Sequence, residues 1–271
     1  MGYRWREYPI QSLSSHFSTT PVKITYHFTN RHGGVSTPPY DTFNLALHVG
    51  DNPANVIKNR TILKHRYNTP DIVWMDQVHH ANIQIITSPH TEPIPHCDAI
   101  VTDQPNIALA VMVADCIPIL MFDPQRHVIA AIHAGRNGTF LQIAPKTVEV
   151  MQKAFGCMPS NIHVIMGPSI HACCYEIGDD LATIVEKSFG KVYMQNGRLN
   201  LQQLNYDQLI QASITKEHIE ISNICTCCHP DYFSYRREGT TGRFAGVIWM
   251  EEGEVICKYF NTMRSLYKSI E

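Results

Sequence analysis

The sequence predicts an α/β (α+β) chain in which mixed β-sheets are flanked by helices, and three observations carry that prediction. Asn106–Gly138 holds three short apolar runs, Ile107–Val113, Ile117–Phe122 and Val128–Ile132. None reaches helical length before Asp-Pro or Gly intervenes, so they read as buried strands. Helical spacing appears in other segments, between which further short runs recur. Several strands also follow one another without room for the crossover that parallel neighbours need, so the sheet pairing must be mixed. No repeat, low-complexity tract or linker composition divides the 271 residues. A single domain over 1–271 is expected.

Each element has its own local warrant. Val22–Phe28 alternates as VKITYHF, a half-buried strand. The following TNRHGGVSTPPYDTFNL is dense in Gly, Ser, Thr and Pro and must be loop. Asp51 or Asn52 can cap a helix, Pro53 suits its first turn, and Val56, Ile57 and Leu63 supply its apolar face. DIVWM and NIQIIT read as strands on either side of DQVHHA, which places His79 at a strand end and His80 pointing the other way. SPHTEPIPHCD is a proline-broken connection, and DAIVTD is another strand. Thr139–Phe155 has helical spacing, with Pro145 predicting a kink or a late start. NIHVIMGPSIHACCYEIGDD reads as strand, loop and helix start, and LNLQQLNYDQLIQASI as a helix. HIEISNICTCCHPDYFSYRREGTTGRFAGVIWM holds a strand, a cysteine-rich loop and a last strand, and the tail over 251–271 is amphipathic and can dock as a helix.

Composition narrows the partners. An apolar share of 44% against 17% charged residues supports a substantial core, and a net charge of −2 without Lys/Arg clusters argues against nucleic acid or an anionic membrane. No apolar run reaches the length of a membrane span, and the N-terminus lacks a signal-peptide apolar region. Met1-Gly2 begins a myristoylation pattern that Arg6 breaks. Nine cysteines, an odd number without ladder spacing, suit a reducing compartment, so a cytoplasmic protein acting on a small molecule is expected.

Cys116 and His133 sit at strand ends, where a sheet can hold reactive groups rigidly. An ordinary buried thiol and a satisfied core histidine would look the same. With His79 they make a plausible zinc shell of two imidazoles and one thiolate, open at a fourth position. Their separations of 37 and 17 residues match no local zinc motif. The same Cys116 and His133 also read as nucleophile and base, with Asp115 or Asp98 orienting the imidazole. Copper, with Met112 or Met121 as weak axial ligand, is a third option. A multicopper oxidase is rejected, because none of the fifteen histidines forms a His-x-His pair. Arg31 beside Gly33-Gly34 suits an anion, since a guanidinium and exposed backbone N–H groups lie together. Cys225, Cys227, Cys228 and His229 resemble a zinc knuckle, but consecutive residues of an extended chain point apart. A structural or redox-inert cluster is expected there and at Cys173-Cys174.

TNRHGGVSTPPYDTFNLALHVGDNPANVIKNR, DQVHHA, CDAIVTD, VADCIPILMFDP, AAIHAG, GPSIHACCYEIGDD and FSYRREGTTGRFAGVI, in this order, resemble the YfiH-like family, also called the laccase-domain or polyphenol oxidase family. The resemblance covers roughly 26–249. It implies a mixed α/β sandwich shared with cytotoxic necrotizing factor catalytic domains, and zinc rather than copper on His79, Cys116 and His133, which are also the catalytic residues. It further implies phosphorolysis of adenosine, inosine, guanosine and S-methyl-5′-thioadenosine by a purine nucleoside phosphorylase, with adenosine deamination as a second activity. Arg31, Gly33 and Gly34 are then candidates for phosphate, with Asn44, Arg237 and Arg243 as further substrate contacts. The partners are a purine nucleoside and phosphate, and the chain a monomer or weak homo-oligomer. The alternative is a Cys–His amide hydrolase or peptidoglycan-precursor editing enzyme. Two positions depart from the family pattern. His80 stands where Gly is usual, and Arg136-Asn137-Gly138 replaces Trp-Arg-Gly.

Overall fold

In a computed structural model of the chain, residues 22–252 are described. The elements in order are β1 (Val22–Phe28), α1 (Pro53–Tyr67), β2 (Asp71–Val73), β3 (Ile83–Ile85), β4 (Ala99–Thr102), β5 (Ile107–Val113), β6 (Ile117–Asp123) and β7 (Val128–Ala134). They continue as α2 (Arg136–Phe140), α3 (Ile143–Phe155), β8 (His163–Met166), α4 (Asp179–Ser188), β9 (Met194–Gln195), β10 (Arg198–Leu199), α5 (Leu201–Gln211), β11 (Ile219–Ile221), α6 (Tyr235–Glu238) and β12 (Phe244–Glu252).

Two sheets stack between two layers of helix. One has the order β1-β12-β5-β2 and the other β11-β8-β6-β7-β4-β3, with β9 and β10 as a separate ribbon. Pairing is mixed as predicted: β2/β5, β3/β4 and β8/β11 are parallel, and the remaining pairs are antiparallel. The apolar runs of β5, β6 and β7 are continuous because both faces of each strand are covered. Leu109, Val111 and Val113 of β5 meet Leu120, Phe122, Ile129 and Ala131 between the sheets. The alternate residues Ala108, Ala110 and Met112 pack with Phe43, Leu45 and Leu63 beneath α1. On the far side, Ile119, Met121, Ala130 and Ile132 lie under Val148 and Met151 of α3 and Leu204 of α5. Burying each large aliphatic side chain contributes about 1.5–3 kcal/mol, so a one-residue register slip in β5 would exchange two cores at once.

Local chemistry explains the element ends. Asn52 caps α1 by accepting from the Ala54 N–H at 2.9 Å, with Pro53 at the first position. Val56 and Leu63 are buried there, whereas Ile57, expected on the same apolar face, is exposed. The helix expected over Thr139–Phe155 is two: α2 already begins at Arg136, Gln142 adopts left-handed φ 60°, and α3 restarts at Ile143 with Pro145 in its first turn. The short α6 was not expected. The tail beyond Glu252 lies outside the described residues.

Candidate metal centre and its cavity

Strand register assembles the centre. Ala99 of β4 faces Ile132 of β7, which brings Asp98 alongside His133. Ile117 of β6 faces Ala134, which brings Cys116 across from Gly135. Ala114-Asp115-Cys116 is the crossing from one sheet to the other, since β5 and β6 belong to different sheets. His79 arrives from the loop after β2 with φ 58°, a left-handed turn. Its ring lies edge-on to that of His133, with centroids 4.6 Å apart. The ligand-type atoms of His79, Cys116 and His133 all fall within 4.8 Å of one another.

Asp98 organises this group. Its carboxylate accepts the N–H groups of Val78 (3.2 Å), His79 (2.9 Å) and His80 (2.8 Å), and bonds the Nδ1 of His133 at 2.8 Å. Those bonds fix both the loop carrying His79 and the ring orientation of His133, leaving the His133 Nε2 for the centre. Burial alone would raise the Asp98 carboxyl, but the hydrogen bonds from His133, His80 and His79 hold it below its usual range. Burial would likewise raise the Cys116 thiol. The facing His133 imidazolium, with hydrogen bonds from both imidazoles, instead lowers it to about 6. His133 moves the opposite way, to about 9, because the Cys116 thiolate and Asp98 outweigh the cost of burying its charge.

Gly135 keeps the space among the donors clear. A Cβ there would lie 3.0 Å from Cys116 Sγ, 3.3 Å from His79 Cδ2 and 3.6 Å from His133 Nε2. Two imidazoles, a thiol poised to ionise, a carboxylate behind one imidazole and a vacant methyl-sized space together fit a tetrahedral N/S ion such as zinc.

The three donors open into a cavity of about 320 Å³, a size that suits a small organic substrate. His48, Met112, Asp115, Ile170, Tyr175 and Tyr235 line it, together with Arg136, Arg236 and Arg243. Asp115 is not the orienter of His133. It sits at φ 92° and its carboxylate accepts from Thr226 Oγ1 (2.7 Å) and the Arg236 N–H (2.6 Å). Gln77 fixes the neighbouring end of β5 by exchanging two hydrogen bonds with the Met112 backbone.

The other residues named from the sequence divide sharply. Arg243 lines the cavity; its Nη1 donates to the carbonyls of Thr241 and Gly242. Arg31, Gly33, Gly34 and Arg237 are not among the lining residues. The Arg31 guanidinium is paired with Glu238 at 2.5 Å and Asp41 at 3.4 Å. Gly33 offers its carbonyl to Arg66, and a side chain on Gly34 would overlap the Thr42 carbonyl, so these glycines serve close packing. Arg237 donates to the carbonyls of Thr226, Cys227, His229 and Tyr232. Asn44 is wholly buried and spans Ala46, Asp51 and the Arg243 N–H, holding the loop and Arg243 together. The sequence reading missed His48, Gln77, Tyr175, Tyr235 and Arg236. Their only local signal was membership of the same quoted motifs. Away from the cavity, Cys225 and Cys228 group with Cys173 and Cys174 rather than with Cys227 and His229.

A family model described as multi-copper polyphenol oxidoreductase laccase matches residues 25–251. The chain belongs to that family. The chain is similar to the purine nucleoside phosphorylase Rv2149c of Mycobacterium tuberculosis, 37% identical over 236 residues that cover 85% of this chain and 93% of the relative. Among solved structures it is similar to YlmD from Geobacillus stearothermophilus, with a TM-score of 0.80 at 31% identity, covering 88% of this chain and 98% of that one. YfiH from Bacillus licheniformis gives a TM-score of 0.79 at 33% identity over 83% and 92% of the two chains. The mixed α/β architecture is thus that of the laccase-like YfiH and YlmD structures. No helix among the described residues is long and apolar enough to cross a membrane.

Proposed function

We propose that the chain is a purine nucleoside phosphorylase whose His79, Cys116 and His133 hold a zinc ion. One observation carries this reading: three metal-type donors and three arginines share a single nucleoside-sized cavity. Relatives across the chain's length bear the name purine nucleoside phosphorylase, which supports the same assignment. When bound, zinc supplies Lewis acidity toward an oxygen of the reactants.

The residues around it do the positioning. In phosphorolysis a phosphate oxygen forms a bond to ribose C1′ as the C1′–purine nitrogen bond breaks, and the purine leaves with the electron pair. Arg243 meets the phosphate charge, assisted by Arg136 and Arg236. Tyr175, Tyr235 and Ile170 provide surface for the purine ring, since aromatic groups bury a large face at low entropic cost. Asp98 holds His133 in one tautomer through Nδ1. Asn44, through the Arg243 N–H, and Arg237, through the Thr226 carbonyl, support the cavity wall from behind, whereas Arg31, Gly33 and Gly34 hold the loop that carries them. Adenosine, inosine, guanosine and S-methyl-5′-thioadenosine are the substrates, with hydrolytic deamination as a second activity, in which water adds its oxygen to C6 of adenosine as the C6–amino bond breaks to give inosine and ammonia.

The geometry of Cys116, His133 and Asp98 also fits a nucleophile, a base and its orienter, which favours the Cys–His amide hydrolase as the second reading. Incubation with adenosine, with and without phosphate and chelator, separates the two. Adenine and ribose 1-phosphate should form only with phosphate, and should be lost with chelator and in Cys116→Ala. Adenine release that ignores phosphate would remove the phosphorylase assignment.

A further inference from the structure

The second group of cysteines lies on two turns that the sheet brings together. Strands β8 and β11 are parallel neighbours, with Met166 beside Ile221, so the loops leaving their C-terminal ends emerge side by side. Ser169 and Cys225 continue that contact as an isolated parallel bridge. On one loop, Cys174 and Tyr175 both return their N–H groups to the His171 carbonyl (2.9 Å each), a turn that sends Cys173 and Cys174 to a common side. On the other, Cys228 and His229 return theirs to the Cys225 carbonyl at 3.2 and 2.9 Å, closing the Cys-x-x-Cys segment into a second turn. The four sulfurs lie within 4.8 Å of one another, with Cys173–Cys228 at 3.7 Å and Cys174–Cys228 at 3.3 Å.

These separations decide between two chemistries. A disulfide holds its sulfurs at about 2.05 Å, so none of these pairs is bonded. Four thiolates around one zinc, each at about 2.3 Å, stand about 3.8 Å from each other; Cys173–Cys228 at 3.7 Å is close to that, Cys174–Cys228 at 3.3 Å is shorter, and all four sulfurs fall within 4.8 Å. The surroundings suit a thiolate–metal group as well. The His171 N–H points at the Cys225 sulfur at 3.4 Å, as backbone amides do toward metal-bound thiolates. Four thiolates outweigh a divalent ion, and two guanidinium groups flank them: Arg236 on the Cys174 carbonyl (3.1 Å) and Arg237 on the Cys227 carbonyl (3.1 Å).

We propose that Cys173, Cys174, Cys225 and Cys228 form a second, closed metal site that binds one Zn²⁺ and fastens the two loops together. All four positions of a tetrahedron are filled by protein sulfur, leaving none for water or substrate, so the site is structural. Its load is the cavity wall. Ile170 and Tyr175 belong to the first loop, and Thr226 of the second holds Asp115. The site does not depend on the reaction proposed above.

The test is zinc content per chain in the purified full-length protein. Wild type should carry two equivalents, Cys116→Ala one, Cys228→Ser one, and the double variant none. The single equivalent left in Cys116→Ala should accept Co²⁺ and give the intense near-ultraviolet thiolate-to-cobalt band of a four-sulfur site. Cys228→Ser should also melt at a lower temperature than wild type. Cys173 is exposed, so Cys173→Ser repeats the test at a position where packing is not disturbed. Zinc-free Cys116→Ala protein would overturn the proposal, as would recovery of a Cys173–Cys228 or Cys174–Cys228 disulfide. One equivalent in wild type that is lost in Cys228→Ser but kept in Cys116→Ala would leave the cavity centre without its metal while keeping this one, so the two readings fail separately.

Discussion

The two sulfur-bearing groups of this chain use similar atoms in opposite ways. At the cavity, Cys116 shares its centre with two imidazoles; Cys116 and His133 sit at strand ends, His79 stands on the loop between β2 and β3 rather than at the strand end its sequence suggests, and a carboxylate stands behind His133. In the other group four thiols converge on two turns, from buried Cys225 to exposed Cys173 and Cys228. The difference lies in what surrounds the sulfur. Imidazoles and a clear space leave a position open for chemistry, whereas four sulfurs close the shell. Electrostatics follow the same division. Histidines draw the Cys116 proton away, while partial burial and the neighbouring thiols raise Cys173 to about 11.

Thiol reactivity in chelator-stripped protein tests that contrast most severely. A thiol lowered to about 6 is mostly thiolate above that pH, and one raised to about 11 stays protonated until far above neutrality. At pH 7, iodoacetamide should therefore label half-buried Cys116 faster than exposed Cys173, by on the order of a hundredfold, as read by peptide mass spectrometry. Faster labelling of Cys173 would mean that exposure rather than charge governs both groups. Asp98→Asn should reduce metal affinity or activity by about 10–100-fold, with the surface site's zinc equivalent retained. Equal loss of both equivalents would show that Asp98 supports the fold rather than the centre. Smaller again, Arg243→Ala should raise the phosphate KM by about tenfold, the worth of one charge-assisted hydrogen bond. Arg31→Ala should act on stability, because Arg31 is already paired with Glu238 and Asp41. A larger phosphate effect at Arg31 would reverse that assignment.

How far these features could be read from sequence depended on the range of the interaction behind them. Strands β1, β5, β6 and β7 were legible because continuous burial or strict alternation is a local pattern. Capping by Asn52 and the restart near Pro145 were legible for the same reason. His79, Cys116 and His133 stood out as a donor set, but their convergence depends on β4/β7 and β6/β7 register. Register also chose Asp98 over Asp115, two aspartates that the sequence left equal. Arg31 beside two glycines had the local look of an anion site until Glu238, more than two hundred residues away, took the guanidinium. The four-cysteine group was hidden because it needs β8 and β11 to be parallel neighbours, a fact of topology that no spacing records.

The hydrogen bonds of Asp98 have one more consequence. Three backbone N–H groups and an imidazole are tied to one carboxylate between the first and second donors in the sequence, and none of those bonds involves an ion. The cavity centre is therefore shaped by the polypeptide before any metal arrives. With only the cavity metal removed, the protein should keep its sheets and its cavity, and reloading of that centre should proceed as simple binding, without a folding step to slow it.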